Sequence, residues 1–151
     1  MSRLPRHLEH LRTGFTAEAM SAASFRAYAE DAEAAGKPNL GSRWRALAEE
    51  KDRLAIELLH AAGKVESEVT HLRDAISTEQ YEDDVLYPRM VADMEDLGHP
   101  EEAALLRRIV ETQQRHQAEL DDLRRELTAS TRDVRGPARD AAINAPSPTA
   151  S

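Results

Sequence analysis

Apolar residues recur at helical spacing along almost the whole chain, and Gly36, Gly63 and Gly98 cut that pattern into four lengths. No stretch alternates with period two, so an all-α fold is expected. The first length covers about 16–35, with Phe15, Ala22, Phe25, Ala29 and Ala32 on one face. The connection Lys37-Pro38-Asn39-Leu40-Gly41 leads to a second helix starting near Ser42. Its inner face carries Trp44, Leu47, Ala48, Leu54, Ala55, Leu58, Leu59 and Ala62. The third runs over about 69–97 with Pro88 inside it, which predicts a kink. Pro100 opens the fourth, Glu101 and Glu102 suit the positive end of its dipole, and Leu105, Leu106, Ile109, Leu120, Leu123 and Leu127 turn inward.

The pattern predicts a short N-terminal lead-in (1–14), a four-helix bundle (15–131) and a disordered tail (132–151) rich in Pro, Ala and Ser. With 20 basic and 28 acidic side chains, the net charge of −8 argues against nucleic acid as a partner. No apolar run reaches the roughly 18 residues of a membrane span, and no segment reads as a signal peptide. The absence of cysteine excludes disulfides, thiolate catalysis and iron–sulfur clusters. A cytoplasmic location is the expectation.

A few polar residues interrupt the apolar stripes. The first helix contributes Glu18 and the second Lys51, the third Glu79 and Glu82, and the fourth Gln113 and His116. Glu79 and Glu82 are three apart and share one face. Carboxylates on a core stripe are costly unless a metal, a cation or a proton balances them. Carboxylates distributed in this way over several helices are how a bundle presents ligands to two metal ions. Two further motifs, Glu57-Leu58-Leu59-His60 and His7-Leu8-Glu9-His10, fall beside or outside the predicted core and read as surface.

These residues resemble the rubrerythrins, a branch of the ferritin-like di-iron carboxylate proteins, over about residues 15–127. The resemblance rests on Phe15-Thr16-Ala17-Glu18 with Gly36 closing that helix, and on Thr70-His71-Leu72-Arg73-Asp74-Ala75-Ile76-Ser77-Thr78-Glu79. It continues with Glu79-x-x-Glu82, Tyr87-Pro88, Gly98 and a final helix bearing His116. It implies a ferritin-like four-helix bundle with Glu18, Glu79, Glu82 and His116 as metal ligands, supported by Gln113 and Tyr87. The family's Glu-x-x-His of the second helix falls here on Lys51 and Leu54, and its last glutamate falls on Gln113. Phe25 stands where the family usually has a tyrosine. The implied complement is therefore no metal, or one iron or manganese ion per site, in place of a di-iron pair.

Three functions follow as expectations. The first is a ferritin-like protein whose site is rebuilt around Lys51, binding at most one metal and acting on a small molecule, with Lys51 and Glu18 as the catalytic candidates. The second is an iron- or manganese-dependent oxidoreductase using peroxide or dioxygen. The third is a structural or interaction bundle with a metal-free polar core. Chain length adds a constraint. The second helix spans roughly 30 Å, whereas the connection over 63–69 reaches about 23 Å. Either the third helix starts later, or the two hairpins come from different subunits of a homodimer by domain swapping.

Overall fold

The computed structural model describes residues 4–129 and 133–136. It is all-α, with no strand among the described residues. The helices are α1 (Arg6–Ala34), α2 (Pro38–Ala61), α3 (Glu68–Tyr81), α4 (Tyr87–Asp96) and α5 (Pro100–Ala129), and a π-helical turn (Glu82–Leu86) joins α3 to α4. None of the helices described is long and apolar enough to cross a membrane. The chain divides into two compact units, Met1–Glu66 and Ser67–Ser151.

In the first unit, α1 and α2 form an antiparallel hairpin. Residues expected as a separate lead-in continue α1 without a break from Arg6, because nothing between Leu8 and Phe15 interrupts its hydrogen bonding. Gly36 stops that helix with φ +73°, a conformation that a Cβ would strain. The amides of Ala35, Gly36 and Lys37 close the last carbonyls, bonding to Asp31, Glu33 and Ala32 at 2.8–3.0 Å. The expected connection is shorter than the sequence suggested. Pro38 is already helical, since its fixed φ and missing N–H suit a first turn, so α2 begins four residues before Ser42.

The hairpin interface is built from small residues. Ala22, Ala29, Ala32, Ala48 and Ala55 are its buried apolar side chains, and they let the two helices approach closely. Gly41 lies at the tightest point, where an added Cβ would stand 2.7 Å from Glu33 Cγ and 3.1 Å from the Ala29 carbonyl oxygen. Phe25, Tyr28 and Trp44 cluster nearby, with ring centroids 5.1–6.1 Å apart. A two-helix hairpin covers one side of each helix, so Leu47 and Leu54, expected inward, are each 45% exposed within this unit.

In the second unit, Ser67 caps α3 by accepting a hydrogen bond from the Thr70 amide at 3.3 Å. The long third helix of the sequence pattern is present with a local change of winding. Pro88 has no N–H, and its ring would press on the carbonyl one turn earlier. The chain widens just ahead of it, the Tyr87 amide bonding back five residues to the Glu82 carbonyl, and helical backbone continues on both sides. Gly98 (φ +78°) ends α4, and α5 starts at Pro100 as expected. Beyond α5, Arg135 packs back on Glu126, its backbone N–H and its guanidinium both donating to that carboxylate. The rest of the expected tail, apart from 133–136, lies outside the described residues.

Gly41→Ala is expected to destabilise the protein by about 1–2 kcal/mol in denaturant unfolding, overpacking outweighing the better helix propensity of alanine. A second outcome concerns pH. Arg45 donates two hydrogen bonds to Glu33, at 2.7 and 2.8 Å, and holds its carboxyl below the ordinary range. A depressed carboxylate stabilises the fold above its unfolded pKa, about 4.3, and that contribution fades as pH falls through the lower folded value. Thermal melts should show this acid-side loss in the wild type, and Arg45→Met should flatten it.

Candidate functional site

The polar residues singled out from sequence gather into two clusters, one within each unit. In the first, Glu18 of α1 and Lys51 of α2 face each other across the alanine layer, Nζ lying 2.7 Å from Oε2. The side chains are 24% and 32% exposed, so both charges are largely withdrawn from water. Glu18 Oε2 is buried and accepts no directed hydrogen bond, so the charge contact is what balances it. The small buried side chains of Ala22, Ala48 and Ala55 let α1 and α2 pack side by side, which brings the ammonium within reach of the carboxylate.

The second cluster lies between the end of α3, the π turn and α5. Three polar contacts cross between these helices like rungs. His116 Nδ1 is 3.2 Å from Glu79 Oε1. The Gln113 amide donates to Glu82 Oε2. Gln117 Nε2 donates to Asp83 Oδ2 at 2.8 Å. Gln113 and Asp83 are buried, at 8% and 9% exposure, whereas the His116 side chain is 55% exposed. Tyr87 is half-buried at the first position of α4.

The sequence placed Glu79, Glu82, Gln113 and His116 on facing stripes without pairing them, and Asp83 and Gln117 were not singled out. The signal was present: Asp83 is one turn after Glu79, and Gln117 one turn after Gln113. Burial pushes the Asp83 carboxyl above the ordinary carboxylate range, and repulsion from Glu79, Asp84 and Glu82 adds to the shift. His7, His10, Glu57 and His60 are all exposed.

The donor set can be tested against a metal from the orphaned atoms. Glu79 Oε2, Asp83 Oδ1 and Gln113 Oε1 are buried oxygens without a hydrogen-bond donor. Buried acceptors of this kind are uncommon and suit a cation or a water molecule. Among the described residues, no three His, Asp or Glu side chains converge to hold a metal as they stand. Glu82 is engaged by Gln113 and Glu79 by His116, so a ligand role for this pair requires small side-chain rotations. The second cluster thus keeps buried oxygens without a donor, while the carboxylate of the first unit is already matched by Lys51. No family model and no curated protein matches the chain.

Lys51→Met should lower stability at neutral pH by about 1–3 kcal/mol in chemical denaturation, because it leaves the Glu18 carboxylate buried and unpaired. Adding Glu18→Gln should recover most of the loss. A double variant no more stable than Lys51→Met would show that the pair does not carry this energy.

Proposed function

We propose that this chain is a ferritin-like protein, resembling the rubrerythrins, in which a lysine ion pair has taken the place of one metal of a dinuclear site. The observation that carries the reading is the Glu18–Lys51 contact at 2.7 Å, on the two helices where the family's ligands would lie. An ammonium supplies a fixed point charge to the carboxylate and leaves no need for a cation there. The remaining ligand set, Glu79, Glu82 and His116, takes at most one divalent ion, iron(II) or manganese(II), with Gln113 and Tyr87 supporting it. Such an ion, when bound, would supply a Lewis acid with positions open to a small molecule. Lys51 and Glu18 are the catalytic candidates of the first unit, with Glu18 keeping the lysine ammonium in place. A cytoplasmic location and no nucleic-acid partner go with this reading.

A ferritin-like bundle imposes a further condition. Since α3 starts at Glu68, it does not start late. The connection over residues 62–67 extends to about 20 Å, while the 24 residues of α2 make a helix about 36 Å long. Ferritin-like order then requires α1–α2 of one copy and α3–α5 of a second, a domain-swapped homodimer.

A metal-free polar core is the second reading, favoured by the Gln113 and Gln117 amides, which satisfy one oxygen each of Glu82 and Asp83 without an ion. Elemental analysis after anaerobic loading with iron(II) or manganese(II) decides. One ion per chain is expected, rising to two in Lys51→Glu/Gln113→Glu. Two ions in the wild type would overturn the reading and restore an oxidoreductase of peroxide or dioxygen. No ion in either protein would leave the metal-free core.

A further inference from the structure

The polar rungs Glu79–His116 and Asp83–Gln117 occupy one part of the α3–α5 interface, and beyond them, toward the end of α5, it turns largely apolar. We infer that this part binds a single-chain amphiphile with a carboxylate head, in chemical class a medium-chain fatty acid. None of the metal-ligand candidates lines it, so the inference is independent of the preceding reading.

An open cavity of about 390 Å³ lies between α3 and the last turns of α5. Small-molecule sites run from roughly 300 to 1,000 Å³, so this one takes a small ligand. Its apolar wall is Val69, Leu72 and Ile76 of α3 with Leu127 of α5. The three α3 residues recur at helical spacing and make a continuous strip. Val69, at the outer end, leaves an apolar side chain 69% exposed. From Val69 to Gln80 the α3 wall runs about 16 Å, a length that suits an extended alkyl chain.

The charge of the head group follows from Arg73 and Arg124, which line the same cavity from opposite helices. The Glu79–His116 contact sets the register of this antiparallel pair. Arg73 is six residues before Glu79 and Arg124 eight after His116. Those steps are about 9 and 12 Å along the two axes, so the arginines stand within one turn of the same level. The rungs match donor with acceptor, whereas here a cation faces a cation. In a chain of net charge −8, no acidic side chain is among the described residues lining this cavity. The ion pairs of the two arginines run along their own helices, to Asp74 at 3.2 Å and to Asp121 at 3.0 Å, and are well exposed. Exposed pairs of that kind hold weakly. A carboxylate at the mouth can therefore draw on both guanidiniums, whose forked donors match its two oxygens, while its chain covers the apolar strip.

The test titrates the full chain with decanoate by isothermal titration calorimetry, beside decanol of the same chain length, with the oligomeric state read by light scattering. One decanoate per chain is expected, with decanol binding at least tenfold more weakly. Arg73→Gln/Arg124→Gln changes only exposed side chains, and should weaken decanoate at least tenfold while leaving decanol as it was. Ile76→Trp fills the cavity and should abolish binding of both, and Val69→Trp, at an exposed position, serves if Ile76→Trp does not fold. Equal affinity for decanoate and decanol, unchanged in the arginine variant, would overturn the inference. No binding by a monomer would overturn it as well. No binding by a dimer would overturn it and give the groove to a second copy of the chain.

Discussion

The cost of placing carboxylates between packed helices is the constraint on which the arrangement of this protein depends. Four acidic side chains, Glu18, Glu79, Glu82 and Asp83, are buried or half-buried at helix–helix faces. Each is met by a side chain from the facing helix. Lys51 meets Glu18 with a full charge, and the other three are met by an imidazole and two amides. An ammonium can neutralise a carboxylate outright, whereas an amide satisfies one oxygen and leaves the charge in place. The two units therefore differ electrostatically: the first is balanced and the second retains negative charge beside unpartnered oxygens.

A glutamine at position 113 has a clear physical consequence. A glutamate at 113 would face Glu82 with like charge and would need a cation between them. Gln113 has a donated hydrogen bond where that repulsion would be, so the α3–α5 interface closes around the Glu82 carboxylate and leaves the amide oxygen without a donor. The π turn belongs to the same economy of backbone and side chain. Pro88 forces a change of winding nearby, and the turn that accommodates it also carries Glu82 and Asp83, the two carboxylates tied to Gln113 and Gln117. Wide helical turns of this type recur at functional sites, because they re-aim side chains without breaking the helix.

Helix identity and most helix ends were legible in sequence, since apolar spacing and the glycines at 36, 63 and 98 act locally. The Glu18–Lys51 pairing and the grouping of Glu79, Glu82, Gln113 and His116 were legible in outline, because a polar residue on an apolar stripe must find a partner. Asp83 was not, although it lies one turn from Glu79. On sequence it is one of two consecutive aspartates, and only Asp83 turns inward while Asp84 stays exposed. Likewise, His116 reads as interior from its stripe but keeps its ring largely in solvent within the unit described.

By itself the sequence determined the all-α character, the glycine stops, the chain-length limit on a connection over about 63–69 and the list of charges needing compensation. Those follow from local backbone preference and from the cost of burying charge, neither of which needs coordinates. The tertiary structure decided which atoms meet. It set the ammonium at 2.7 Å from Glu18, gave the Gln113 amide to Glu82 and left three oxygens of α3, the π turn and α5 without partners. Such outcomes depend on how closely two helices approach and how each is rotated about its axis, which packing of side chains fixes and spacing along one chain does not.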